Sequence, residues 1–104
     1  MNFEEAVMSL ITNGGLAKSA YIEAIRAAKE GRFEEVEDFW TEANEAFEEA
    51  HKTHFEMLGA GTEANTPMEK MLLIHAEDQL NSAEIFKVVS EEMVDLYKAL
   101  KAEI

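Results

Sequence analysis

Apolar residues recur at intervals of three and four along most of this chain, which is the spacing of one face of an α-helix. In the first third the spacing runs through Phe3, Val7, Leu10, Gly14, Ala17, Tyr21, Ala24 and Ala28. In the middle third it runs through Phe33, Val36, Trp40, Ala43, Phe47, Ala50, His54 and Met57. The pattern predicts two helices whose apolar seams pack against each other as in a bundle or coiled coil.

Turn signals divide the chain into three predicted helices. Their approximate ranges are 3–30, 33–58 and 67–102. The break at Gly31–Arg32 is so short that the first two helices should be antiparallel neighbours. Thr66 is predicted to be the N-cap of the third helix, with Pro67 at its first helical position. The glycine pair Gly14–Gly15 costs about 1 kcal/mol per residue relative to alanine in a helix, so we expect a close backbone approach or a kink there.

The third helix has apolar residues on three of its faces. One line is Met68, Leu72, His75, Gln79, Ser82, Phe86, Val89, Met93, Leu96 and Leu100; a second is Leu73, Ala76, Leu80 and Ala83; a third is Met71, Ile74, Asp78, Ile85 and Val88. The solvent line is Lys70, Glu77, Glu84, Glu91 and Lys98. Each helix of a three-helix monomer faces only two others, so three apolar faces cannot all be covered. The pattern therefore predicts an oligomer.

Composition narrows the class of protein. A length of 104 residues predicts a single domain, 1–104. The net charge of −13 argues against binding nucleic acid or an anionic membrane, and favours a basic protein partner. There is no cysteine, which excludes disulfides and thiolate metal sites. The sequence has no long apolar run and no basic signal-peptide region, so we expect a soluble, cytoplasmic protein without direct membrane insertion.

Three polar residues interrupt an otherwise apolar line of the third helix. His75, Gln79 and Ser82 are spaced to share one face. A histidine ring is largely neutral at pH 7, so it can act as a nucleophile, carry a phosphoryl group or bind a metal. A core histidine satisfied by a neighbouring polar group is the alternative. The other two histidines, His51 and His54, are expected to be core or interface residues, with His54 a candidate neighbour of His75.

Asp78 lies on a different apolar line, between Ile74 and Ile85. A buried carboxylate without a partner costs several kcal/mol, so it must be neutralised, paired or bound to a cation. In a symmetric oligomer the copies of Asp78 could meet at the axis, where a hard divalent cation such as Mg²⁺ would suit their oxygens. An ion pair or hydrogen bond between subunits is the alternative.

With these residues identified, the sequence resembles the enzyme IIA component of the lactose/cellobiose class of the bacterial sugar phosphotransferase system. The segments that carry the resemblance are "NGGLAKSAYIEAIRAAKEGRFEEVE" (13–37), "EAHKTHFEML" (49–58) and, most specifically, "LLIHAEDQL" (72–80). Glu77 and Gln79 are more similar to the chitobiose/cellobiose branch than to the lactose branch. Asn81–Ser82 departs from the family, which usually has methionine after the leucine, so the sugar stays open.

The resemblance implies an all-α fold, in which antiparallel three-helix bundles form a homotrimer with a nine-helix, coiled-coil-like core. His75 would accept a phosphoryl group on Nε2 from the phosphocarrier protein HPr. It would pass the group to a cysteine of the cognate enzyme IIB, which phosphorylates the incoming disaccharide. From their position on the same face, Gln79 or Ser82 could donate or accept hydrogen bonds around the ring. Asp78 would lie at the trimer axis with a structural divalent metal, such as Mg²⁺.

Two other functions compete with this interpretation. The chain could be a non-catalytic helical oligomeric scaffold or adaptor, in which the polar residues only fix the register of the helices. It could also be a metalloenzyme that uses carboxylates and histidine. The sequence lacks the paired Glu-x-x-His motifs on separate helices that are typical of such bundles.

Overall fold

The computed structural model describes residues 1–59 and 62–102. Its helices are α1 (Phe3–Lys29), α2 (Val36–Glu56) and α3 (Pro67–Ala102), and a 3₁₀ turn (Phe33–Glu35) leads into α2. The two described ranges contain no β-strand, so the prediction of an all-α chain is confirmed. The second helix begins later than predicted because its first turn is 3₁₀ rather than α. Among the described residues, none of the helices combines the length and apolar character needed to cross a bilayer.

Local side-chain chemistry fixes the starts of α1 and α3. Asn2 caps α1, since its Oδ1 accepts a hydrogen bond from the Glu5 N–H at 2.8 Å. Thr66 caps α3 in a reciprocal capping box: its Oγ1 accepts from the Glu69 N–H, and Glu69 Oε1 accepts from the Thr66 N–H, both at 3.1 Å. The predicted cap at Thr66, followed by Pro67 at the first helical position, is confirmed.

Helix α1 is the centre of the bundle. It packs along its length against both other helices, while α2 and α3 contact each other at only a few places. All eight residues of the predicted α1 seam are buried. At Gly14 an added Cβ would lie 3.3 Å from the carbonyl carbon and Cβ of Gln79 on α3, whereas Gly15 has open space around it. The close approach predicted for the glycine pair therefore occurs at Gly14 alone.

Helix α3 packs against α1 through one of its three apolar faces. The buried residues are Ala76, Leu80 and Ala83, joined further along by Ser90 and Val94. The opposite face is exposed: Met71, Ile74, Ile85 and Val88 retain 68%, 60%, 62% and 59% of their accessible surface. The line that begins at Met68 is exposed at its two ends, at Met68, Leu96 and Leu100, whereas Phe86 in its middle packs against the core. The described part of the chain leaves the outward face of α3 and the two ends of this line uncovered, and their burial by other subunits stays a prediction.

Candidate functional site

His75 lies near the start of α3, with an exposed side chain. Within residues 1–59 and 62–102, neither ring nitrogen has a hydrogen-bond or ion-pair partner. The alternative of a satisfied core histidine is therefore wrong for the single chain. The exposed side chain is accessible to another molecule, which is what a nucleophilic imidazole requires.

Gln79 and Ser82 follow His75 along the same side of α3, and both are half-buried. The backbone of Gln79 packs directly against Gly14 of α1, which holds this part of α3 close to the bundle. In the described part of the chain, neither side chain forms a hydrogen bond with His75. The three residues share one side as predicted, and their polar groups are free to meet a ligand or partner.

Asp78 is exposed on the outward apolar face of α3, one turn beyond Ile74. Its carboxylate has no ion pair among the described residues. Nor do those residues contain a group of three or more histidine, aspartate or glutamate side chains that could hold a metal ion. A metal at Asp78 would therefore need oxygen ligands from outside this chain, such as the same residue of other copies.

Glu77 was predicted to be a solvent-exposed residue, but in the structure its carboxylate pairs with His54. Its Oε2 lies 3.0 Å from His54 Nε2, and the two side chains are 42% and 38% exposed. Residues 75 and 77 point about 160° apart on a helix, so His54 meets the flank of α3 that faces away from His75. The expectation of His54 as a neighbour of His75 is therefore wrong within one chain. His51 is exposed, with its ring edge-on to Phe47 at 4.7 Å between centroids.

A second group of polar residues, which was not predicted from the sequence, lies further along the bundle. Ser90 Oγ accepts from Trp40 Nε1 and donates to the Tyr21 carbonyl oxygen, both at 2.9 Å. The Tyr21 hydroxyl donates to Asn44 Oδ1 at 2.5 Å. Ser90 follows Ala83 at heptad spacing, a signal that would have extended the buried line to it.

This second group borders an open cleft of about 390 Å³, which Glu91 helps to line. Burial, together with the carboxylates of Glu91 and Glu48, raises the pKa of Tyr21 to about 12. The phenol is therefore neutral at physiological pH, and its proton is held in a hydrogen bond. These side chains satisfy one another and stabilise the bundle, whereas those around His75 remain available.

Comparison with known proteins decides the class of the chain. The family model for the lactose/cellobiose-specific IIA subunit of the PTS system matches residues 5–98. The chain belongs to this family. It is thus a component of a sugar phosphotransferase system with a phosphocarrier role, and the resemblance found in the sequence is confirmed.

Relatives of the chain are specific for different sugars. The chain is 35% identical over 95 residues to the oligo-beta-mannoside-specific EIIA component of Bacillus subtilis (strain 168), covering 91% of this chain and 86% of the relative. It is 34% identical over 96 residues to the galactose-specific EIIA component of Lactococcus lactis subsp. cremoris (strain MG1363), with 92% and 83% covered. It is 29% identical over 99 residues to the N,N'-diacetylchitobiose-specific EIIA component of Escherichia coli (strain K12), with 95% and 85% covered. No solved structure matches the chain significantly.

Proposed function

We propose that this IIA chain relays a phosphoryl group through His75 during disaccharide uptake, on the cytoplasmic side of the membrane. It accepts the group from phospho-HPr and delivers it to a cysteine of the cognate enzyme IIB. The observation that carries the proposal is an exposed imidazole, without a partner in the described chain, inside the segment matched by the IIA family.

The first transfer exchanges one P–N bond for another. The lone pair of neutral His75 Nε2 attacks the phosphorus in line with the donor nitrogen. The donor's P–N bond breaks and its electron pair returns to the donor ring. One proton passes from the His75 ring to the donor ring, so both imidazoles end neutral. The exposed position of His75 allows this approach, because a second protein must bring its own ring to within bonding distance.

The second transfer moves the group from nitrogen to sulfur. The cysteine thiolate of enzyme IIB attacks the phosphorus, the P–N bond breaks, and its electron pair returns to Nε2. The proton that the thiol released ends on the His75 ring, which restores the starting state. Gln79 and Ser82 support both steps by donating or accepting hydrogen bonds beside the ring.

Charge explains how the partners would be recruited. The chain carries a net charge of −13, so a basic partner surface is attracted and steered over a distance of about a Debye length. Binding need only be modest, since a relay must release its partner quickly. The exposed apolar residues near His75, among them Met68 and Leu72, provide contact area for such a partner.

The outward face of α3 supports assembly as a homotrimer. Its seam follows the 3–4 spacing of a coiled coil through Met71, Ile74, Asp78, Asn81, Ile85 and Val88. Two of the three d positions hold the β-branched residues Ile74 and Val88, which disfavour a parallel dimer and favour higher oligomers. The number three comes from the family resemblance. Three copies around this seam would give a nine-helix core and cover the exposed face.

In that assembly the seam brings Asp78 of each copy to the axis. The residues fit a divalent cation in their chemistry, because carboxylate oxygens are the ligands that Mg²⁺ prefers and Asp78 has no partner in the described chain. Three Asp78 carboxylates would hold the ion, and water would complete its coordination. The ion would neutralise the carboxylates and so have a structural role.

Transfer of phosphate in a reconstituted relay tests the proposal. The protein is incubated with phosphoenolpyruvate, enzyme I and HPr, and intact mass spectrometry counts the phosphoryl groups per chain. We expect one group on the wild type, none on His75→Ala, and one on the control His51→Ala, which removes another exposed histidine. An unmodified wild type, or full labelling of His75→Ala, would overturn the phosphocarrier and favour the scaffold.

A further inference from the structure

The two flanks of the outward seam of α3 carry different side chains. His75 and Ser82 each follow a seam residue, Ile74 or Asn81, and so occupy the e positions of a heptad. Lys70 and Glu77 each precede a seam residue and occupy the g positions on the other flank. Within one helix, residues 70 and 75 point about 140° apart. Lys70 therefore does not face the His75 of its own chain.

Symmetric assembly brings the two flanks together. In a parallel coiled coil, the g residue of one helix lies beside the e residue that follows it by five positions in the next helix. Lys70 of one copy therefore comes opposite His75 of its neighbour, and Glu77 comes opposite Ser82. Lys70 is exposed, and its ammonium has no ion pair in the part of the chain that the structure describes.

A phosphoryl group on His75 needs positive charge nearby. The neighbouring residues of its own chain include the acids Glu77 and Asp78. From α1, Lys18 lies over the Phe86 ring at 5.3 Å, which is about three helical turns beyond His75. Lys18 of α1 is therefore too far from His75 to bind a phosphoryl group there. In the proposed assembly, the basic residue that comes close to His75 is Lys70 of the neighbouring copy.

We propose that Lys70 of a neighbouring copy binds the phosphoryl group carried by His75. The inference rests on the proposed function and on the trimer built around the α3 seam. Lys70 would balance charge on the phosphoryl oxygens, which favours phosphorylated His75 over the free ring.

The first test measures the phosphorylation equilibrium with HPr at a fixed ratio of phosphorylated to free donor. We expect Lys70→Ala to lower the ratio of phosphorylated to free His75 about fivefold, the effect of one exposed charge pair. Lys70→Glu should lower it further, and Lys70→Arg should stay near the wild type. Lys98→Ala is the matched control, since it removes the same residue type from the same line of α3 far from His75. Equal ratios for Lys70→Ala and Lys98→Ala would overturn the inference.

Mixed oligomers test whether the lysine acts between chains. Co-expression of Lys70→Ala with His75→Ala gives assemblies in which an intact His75 can face the intact Lys70 of its neighbour. The His75-bearing chains should then regain part of the wild-type phosphorylation ratio. Mixing Lys70→Ala with the double variant Lys70→Ala/His75→Ala should give no recovery. Equal ratios in the two mixtures would show that Lys70 does not act in trans and would overturn the inference.

A small donor separates this inference from the relay itself. Phosphoramidate transfers its phosphoryl group to an accessible imidazole as its own P–N bond breaks and ammonia leaves, without HPr. The initial rate at low salt should be about fivefold higher for wild type than for Lys70→Ala, and added salt should reduce the difference. If HPr does not label the wild type, the proposed function fails, while this rate still decides the role of Lys70. An equal rate and equal salt dependence in both proteins would contradict it.

Discussion

Polar side chains interrupt the apolar lines of helix α3 in two regions, and the chain provides partners for only one of them. In the second half, Ser90 is buried and bonds both Trp40 and the Tyr21 carbonyl. In the first half, His75 and Asp78 are exposed and bond no described residue. Both regions interrupt apolar lines of the same helix. The sequence pattern does not distinguish the two regions. They differ in the structure, because neighbouring helices provide hydrogen-bond partners for Ser90, whereas the described residues provide none for His75 or Asp78.

The difference follows from the cost of burying polar groups. A buried donor or acceptor without a partner costs about 1–3 kcal/mol, so polar residues inside a bundle are retained only where they are paired. In the described ranges every buried side-chain nitrogen and oxygen has a partner. In the same ranges His75 and Asp78 lie unpaired at the surface of α3, beside apolar residues that are also exposed. This combination indicates contacts with other molecules rather than within the chain.

The largest expected effect comes from Asp78, where the chain provides no partner. In the proposed trimer, removal of divalent ions leaves three carboxylates together, so chelation should weaken the wild-type assembly. Asp78→Leu should abolish metal binding and stabilise the metal-free assembly by about 3 kcal/mol, as expected when a buried charge is replaced by an apolar group. Metal analysis after dialysis and sedimentation with and without chelator measure both effects.

The control for Asp78→Leu is Glu84→Leu, which removes another exposed carboxylate from the same helix. It should leave metal content unchanged. Two results would contradict the axial site: Asp78→Leu binding as much metal as the wild type, or the wild type and Asp78→Leu both sedimenting as monomers. Asp78 would then be an ordinary surface residue.

Two serines of α3 provide a matched test of the comparison itself. Ser90→Ala removes the acceptor for Trp40 Nε1 inside the bundle and should destabilise the fold by about 2 kcal/mol. Ser82→Ala removes a half-exposed hydroxyl that bonds no described residue, and should change stability by less than about 0.5 kcal/mol. Urea unfolding of both variants measures the difference. Similar losses at the two positions would show that Ser82 also has a structural partner.

Features with local causes could be predicted from the sequence. The α1 seam is buried at every predicted position, because the 3.6-residue period alone decides which residues share a face. The start of α3 follows from Thr66 and Glu69, which are close enough in sequence to cap each other. The close approach at Gly14 was also predicted, although the sequence could not distinguish it from Gly15.

Features that depend on how helices align could not be predicted. Glu77 has solvent spacing within α3, yet it pairs with His54 because antiparallel packing brings these parts of α2 and α3 to the same level. The Trp40–Ser90 hydrogen bond joins residues 50 positions apart for the same reason. Periodicity shows that His75 shares a face with apolar residues, but not whether another helix of the chain covers that face.

The two glycines of α1 test how tightly α3 is held beneath the candidate site. Gly14→Ala places a methyl group against the backbone of Gln79, so α3 must shift, and we expect a loss of about 1 kcal/mol after the gain in helix propensity. Gly15→Ala meets open space and should stabilise the fold by about 1 kcal/mol. Thermal unfolding of the pair gives the sign of each change. Stabilisation by Gly14→Ala would mean that the helices are not locked at Gln79.

The smallest effect is expected at Tyr21, in the region where the chain provides all the partners. Its pKa is raised from an ordinary value of 10.0 to about 12 in the folded chain, first by burial and then by Glu91 and Glu48. As pH rises, the unfolded chain loses this proton first, so the fold loses stability between about pH 10 and 12. Below pH 10 the stabilisation linked to the protonated Tyr21 hydroxyl is fully present.

Tyr21→Phe isolates that contribution, because it keeps the ring and removes the ionising hydroxyl. The wild type should lose up to about 1 kcal/mol more than the variant between pH 10 and 12, a modest value because the hydroxyl borders an open cleft. At pH 7 the variant should be slightly less stable, since Asn44 loses its donor. Urea unfolding at several pH values measures both the loss of stability at high pH and the difference between the two proteins at pH 7. Parallel pH profiles for the two proteins would mean that the phenol titrates alike in the folded and unfolded chains, and that this half of the bundle is more open to water than its hydrogen bonds imply.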